Sequence, residues 1–258
     1  MQSLFIVSLP RAFSTKTYHL ARRALSLAQP SWVLDGEILN VDRYCHYVGI
    51  RFDESAKFTL PERDPRLVSQ LHDFLNQVTV AEGYIYKDVT QPFVLAQWEG
   101  LKNFRVLKIQ RSVEEVAAAM LANGWFYPQY AASHVIPLPR LLQWARRVTP
   151  FQYSAKLHRL FRARFENGVI EGLVRAERVL DSIEGHVVQY HAIIQDEACL
   201  RDALTALYPH ERVALIRFMN AAFANKRERL AHRRQTRAYQ RLAQKVERVR
   251  NSIAQNQV

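Results

Sequence analysis

Only two cysteines occur in 258 residues, Cys45 and Cys199, far apart and outside any Cys-x-x-Cys or Cys/His spacing. That excludes a disulfide framework and a zinc cluster, and it fits a reducing compartment. The nine histidines form no i, i+4 pair with acidic support, so no metal is expected. No uninterrupted apolar run reaches about 18 residues, so no membrane span is expected. The first apolar run, Leu4 to Leu9, is too short for a signal-peptide core and has no cationic segment before it. The expected address is the cytoplasm. Glycine is scarce, at eight residues, and the G-x-x-x-x-G-K-[ST] phosphate loop is absent. There is no internal repeat and no low-complexity tract.

What the chain does have begins at residue 4. Leu4 to Leu9 has the length and branching of a buried strand, and Pro10, with no N–H for a ladder, closes it. Ser14, Thr15 and Thr17 then supply hydroxyls, and Tyr18 to Leu27 has helical composition. A strand feeding a loop that opens a helix points backbone N–H groups at one spot, where the helix dipole also favours an anion. Arg11 and Lys16 add two cations there. Residues 10–17 therefore read as a phosphate or sulfate cradle.

Further along, Ser31 to Leu34 reads as a second short strand ending in Asp35-Gly36-Glu37, and residues 40–66 read as irregular. Leu67 to Val80 is an amphipathic helix. Tyr84 to Tyr86 is a short strand running into Lys87-Asp88, Phe93 to Trp98 is helical, and Phe104 to Ile109 is a buried strand that stops at Gln110-Arg111-Ser112. Val113 to Leu121 is a helix with Glu114 and Glu115 in its first turn, as the dipole prefers. Residues 125–139 form an aromatic, proline-rich loop or lid. Helices follow over Leu138 to Val148 and Tyr153 to Ile183, the second broken near Gly168 or Gly172. A β-branched run, His186 to Ile194, precedes a helix from Glu197 to Leu207. Alternating strands and helices predict an α/β fold, a parallel sheet with helices on both faces. Ligands then sit at the carboxyl ends of strands, where Arg11, Glu37, Lys87 and Arg111 fall.

The segment Pro10-Arg11-Ala12-Phe13-Ser14-Thr15 resembles the 5′-phosphosulfate loop of sulfotransferases that use 3′-phosphoadenosine 5′-phosphosulfate, with Ala12 and Phe13 in place of Ser and Gly. Because Phe13 resists a positive φ, the loop is expected to follow a slightly different path from the glycine version. Phe104 to Met120 resembles the family's 3′-phosphate motif, with Arg111 at the strand end, Ala119 in place of a serine and Ser112 as its substitute. Val187 to Ala192 resembles the late strand whose tyrosine, here Tyr190, lies near the nucleotide. The resemblance implies a P-loop-NTPase-like sulfotransferase fold over residues 1–205, with 120–185 a mainly helical insert. It also implies in-line sulfonate transfer to a hydroxyl or amine acceptor without a metal. Arg11, Ala12, Phe13, Ser14, Thr15, Lys16, Arg111, Ser112 and Tyr190 are then the donor-binding residues. Glu37 stands where related enzymes place a general base, and Lys87 and Arg11 are the cations for the transferring group. His46, His134 and His191 are the bases next in line.

The charge is uneven. Residues 206–258 hold twelve Lys/Arg against three Glu, a net +9 of the chain's +12. This basic helical extension carries a seam (Tyr239, Leu242, Val246, Val249, Ile253) that either packs on the core or joins a second copy in a homodimer. Six cations between Lys226 and Arg237 read mostly as a solvated face, with Lys226 and Arg227 as the donor contacts that the resemblance implies. The rival readings are a kinase-like or inactive nucleotide binder, and a protein that holds nucleic acid or an acidic partner. The second lacks aromatic interleaving and any finger or helix-turn-helix pattern. The residues do not single out the acceptor, for which a glycan, a phenol and a small metabolite are the candidates. Trp125 to Tyr130 and Arg140, Arg146, Arg147, Lys156 and Arg159 are candidates to receive it.

Overall fold

The computed structural model describes residues 1–39, 62, 65–122, 155–196, 198–214 and 220–255. The expectations for residues 40–61, the lid at 125–139, the helix over Leu138 to Val148, and Cys45, His46, His134, Arg140, Arg146 and Arg147 fall outside these residues, as do the side chains of Lys156, Arg159 and Lys226.

Strand β1 (Leu4–Ser8) is buried at every position. Its side chains alternate between two cores. Leu4 and Ile6 join a cluster with Tyr18, Ala21 and Leu200, whereas Phe5 and Val7 join one with Leu71, Val116 and Leu173. A strand apolar on both faces is what a covered parallel sheet requires. β1 lies between β2 (Ile85–Asp88) and β3 (Arg105–Gln110), and β4 (His186–Gln189) pairs outside β3, all in parallel. The connection from β1 goes to one side of the sheet and that from β3 to the other. Their carboxyl ends therefore form the crevice at which such sheets bind ligands.

On one face lie α1 (Ser14–Ala24), α6 (Tyr190–Gln195), α7 (Ala198–Leu207) and Leu230 of α8 (Asn220–Gln235). The other face carries α2 (Pro65–Val78), α3 (Pro92–Leu95), α4 (Val113–Ala122), α5 (Ala155–Ser182) and α9 (Arg237–Gln255). Lys108, an inward lysine of β3, donates to the carbonyls of Leu180 (3.0 Å) and Ile183 (2.6 Å). It thereby satisfies the carboxyl end of α5 with a cation, as the helix dipole favours.

Several expectations are corrected. Residues Ser31 to Leu34 form no strand. Leu34–Gly36 is a 3₁₀ turn with Asp35 at φ 55°, and Glu37 makes a single parallel bridge to Lys87. Gly36, at φ 71°, packs against Tyr18, where an added Cβ would sit 2.2 Å from the ring, so only glycine fits. The run from His186 to Ile194 is a strand only to Gln189, because Tyr190 already opens α6. Helix α5 is continuous through Gly168 and Gly172, since Val169, Ile170 and Leu173 seat it in the core. The Phe93 to Trp98 helix is four residues long and begins at Pro92.

The seam of α9 packs on this chain's own core, the first of the two alternatives. Leu242, Val246 and Ile253 are buried with α4 and α5, each burial worth about 1.5–3 kcal/mol. Arg250 adds ion pairs to Glu114 (2.7 Å) and Glu177 (3.0 Å). No helix of the described residues is long and apolar enough to cross a membrane.

Candidate functional site

The loop after β1 has unusual backbone. Arg11 lies at φ 61° and Phe13 at φ 73°, both left-handed. Each costs about 1–2 kcal/mol for a residue with a Cβ. The expected detour around Phe13 is thus overturned: phenylalanine adopts the conformation a glycine would take. Three contacts hold it there. Ala12 is fully buried, the Phe13 ring stands edge-on to Tyr190 at 6.4 Å, and Nη1 of Arg111 donates to the Arg11 carbonyl. The N–H of Thr17 closes on the Phe13 carbonyl at 3.1 Å and starts α1. The N–H groups of Ser14, Thr15 and Lys16 then have no acceptor within the helix, which is the general condition of a first turn. Lys16 is exposed at this end, Arg11 is exposed, and Ser14 is buried.

Lys87 stands on the β2 side of the loop, inside the strand rather than after it, and is fully buried. Its Nζ donates to Thr15 Oγ1 at 2.7 Å and to Glu37 Oε1 at 2.9 Å. Burial lowers the Lys87 pKa, and the Glu37 carboxylate pulls it part of the way back. Glu37 keeps 18% of its side chain exposed, so this pair opens at its acidic end. The Leu34–Gly36 turn delivers Glu37, and the Ile38 N–H fixes it by donating to the Lys87 carbonyl at 3.2 Å. Asp35, in the same turn, contacts Nε2 of His19 at 3.1 Å. Asp88, the next residue of β2, accepts from the N–H and hydroxyl of Thr90 and from the N–H of Gln91. Burial nonetheless pushes its pKa up to about 6, with Glu37 adding to the shift.

On the β3 side Arg111 is buried. Its Nε donates to Glu115 Oε2 at 3.1 Å, and its guanidinium lies 4.2 Å over the Tyr190 ring. Glu115 is only 1% exposed. Its Oε1 accepts from Nε of Arg234 (2.8 Å) and lies 2.6 Å from that residue's Nη2. Nε2 of His191 lies 2.6 Å from that Nη2 and 3.0 Å from Glu115 Oε1. Burial pushes the Glu115 pKa up, but the hydrogen bonds from Arg234 and Arg111, with His191 beside them, hold it below the ordinary carboxylate range. Ser112 accepts the Glu115 N–H at 3.4 Å and so caps α4. Tyr190 is fully buried, and burial raises its pKa.

The fold thus gathers the predicted residues around the carboxyl ends of β1, β2, β3 and β4, but with unequal roles. Thr15, Lys87 and Glu37 form one connected group. Arg111 and Tyr190 support the loop from behind. Glu115 and Arg234 went unnoticed in the sequence, where Glu115 reads as a dipole-favoured first-turn acid and Arg234 as one cation in a run of six. Among the described residues, no group of three or more His, Cys, Asp or Glu side chains is arranged to hold a metal ion. What these residues define is a parallel α/β protein with a strained loop bordered by cations at its switch point. No protein-family model matches the chain, and no curated protein matches it either.

Proposed function

We propose that the chain is a sulfotransferase that moves a sulfonate from 3′-phosphoadenosine 5′-phosphosulfate to a hydroxyl-bearing acceptor. The observation that carries this reading is the Thr15–Lys87–Glu37 group, a buried ammonium joining the first turn of α1 to a partly open carboxylate. The donor supplies an activated sulfonate and leaves as 3′-phosphoadenosine 5′-phosphate. The residues present fit such a group at one end. Residues 11–16 offer left-handed backbone, first-turn N–H groups and the exposed Lys16, the elements of an anion cradle. Arg11, Lys16 and Lys87 neutralise charge on the bridging oxygen as the S–O bond to the phosphate breaks. Glu37 takes the acceptor's proton as the new O–S bond forms. Arg111 fits less simply, because its guanidinium already serves Glu115 and the Arg11 carbonyl. It is read here as the support of the cradle.

The test is thermal denaturation with added nucleotide. 3′-Phosphoadenosine 5′-phosphate at about 100 times its dissociation constant should stabilise the protein by about 2.7 kcal/mol, and Arg11→Ala with Lys16→Ala should abolish the shift. An equal shift from ATP would favour a kinase-like nucleotide binder instead.

A further inference from the structure

Four residues run without interruption from the C-terminal helices to the loop. Arg234 in the last turn of α8 reaches Glu115 Oε1, Glu115 Oε2 holds Nε of Arg111, and Nη1 of Arg111 holds the carbonyl of Arg11. Glu115 is 1% exposed and Arg111 5%, so water takes little part in the middle of this chain. At its far end stand the two left-handed residues, Arg11 and Phe13, whose conformation is uphill for residues bearing a Cβ. Strained backbone persists only where its surroundings over-determine it. Here one of those determinants is borrowed from more than a hundred residues downstream.

We propose that helix α8 sets the shape of the anion loop through Glu115, making Glu115 and Arg234 positioning residues for that site. The proposal rests on reading residues 10–16 as the cradle and assigns its control to the C-terminal helices. Glu115 is suited to the task because its two oxygens are divided, one for each arginine. Withdrawing Arg234 leaves a buried carboxylate with a single guanidinium, and Arg111 is drawn further onto it and away from the Arg11 carbonyl. His191 completes the seat, since its Nε2 lies 2.6 Å from Arg234 Nη2 and 3.0 Å from Glu115 Oε1. Leu230 seats α8 separately against the core beside α1. Losing Arg234 therefore loosens the contact without detaching the helix. Arg250 on α9 offers a matched control, because it pairs with Glu114 and Glu177 and does not touch Glu115.

The experiment is amide hydrogen exchange on the full chain, free and with 3′-phosphoadenosine 5′-phosphate. Wild type, Arg234→Ala, Arg234→Lys and Arg250→Ala are compared, followed by titration of the same nucleotide. Arg234 is half exposed, so its replacement leaves the fold intact. In Arg234→Ala without nucleotide, the amides of Thr17 and Tyr18 should exchange about tenfold faster through local opening, with the β1 amides unchanged. Arg234→Lys should fall between, keeping the charge but not the two-nitrogen contact. Arg250→Ala should leave α1 as in wild type. Unchanged exchange at Thr17 and Tyr18 in Arg234→Ala overturns the proposal. This holds even where nucleotide affinity falls, since Arg234 would then act by touching the ligand. Faster exchange in a protein that binds no such nucleotide upholds the coupling and removes the sulfotransferase reading alone.

Discussion

The two flanks of the β1 loop are built from the same kinds of side chain and behave differently. On the β2 flank a fully buried lysine meets a carboxylate that keeps 18% of its surface exposed. On the β3 flank a buried arginine meets a carboxylate that is 1% exposed and is held by a second arginine. The first pair is closed at its cation and open at its acid, which suits proton transfer to or from something outside. The second is closed at its acid, where His191 Nε2 also lies 3.0 Å from Glu115 Oε1, and its arginine reaches on to the Arg11 carbonyl and the Tyr190 ring. On the proposed function, an ion pair here is chemical or mechanical according to which end water can reach.

Exchanging the carboxylates tests that division most severely. Glu37→Gln should lower turnover by about 10²–10⁴-fold, the usual worth of a positioned general base, while nucleotide binding stays near wild type and the melting temperature falls only in part, because the amide oxygen still accepts from the buried Lys87 ammonium but no longer balances its charge. Steady-state transfer assays with a calorimetric titration check this, and undiminished turnover would move the base to another residue. Glu115→Ala should do the reverse and destabilise the fold by about 3–5 kcal/mol, because it leaves the Arg111 charge buried without its partner. Urea denaturation reads this directly. A loss under about 1 kcal/mol, the worth of an exposed pair, would erase the contrast between the flanks.

A smaller effect separates the flanks by pH. Asp88 is 2% exposed and its carboxyl titrates near 6 in the folded chain, against 3.8 ordinarily. Between those values the folded state holds the proton more tightly than the unfolded state. Stability contributed by this group therefore falls as pH rises from about 4 to about 6 and stays low above. Asp88→Asn should remove that slope, so the variant gains on wild type from pH 4.5 to pH 7, chosen assay conditions on either side of that titration. Denaturant midpoints at the two pH values measure it. A variant that loses ground at pH 7 contradicts the assignment.

Much of the fold is legible in the residue order because it follows local rules. Leu4 to Val7 is apolar throughout, and the strand Leu4–Ser8 is buried throughout. The first-turn acids of α4 and the seam of α9 also follow helical spacing. Legibility fails where distant residues override local preference. Phe13 adopts a glycine conformation because Tyr190 and Arg111, far along the chain, support it. Tyr190 ends a β-prone run because its ring is needed beneath that loop, where Arg111 stacks on it. Glu37 sits beside Lys87 through a turn fitted to Tyr18 by Gly36, not through a strand. Arg11 and Arg111 were readable just past strand ends, whereas Glu37 follows a turn and Lys87 stands inside β2. Their division into reacting and supporting groups depends on burial and pairing between distant segments, which residue spacing does not encode.

The position where an anion settles is the most direct test of the β1 loop as a cradle. A crystal of the full chain soaked with 3′-phosphoadenosine 5′-phosphate is expected to show the 5′-phosphate on the N–H groups of residues 13–16, with Lys16 and Lys87 the nearest cations. A nucleotide whose phosphates lie instead along the exposed arginines of α8, leaving the β1 loop bare, would contradict it.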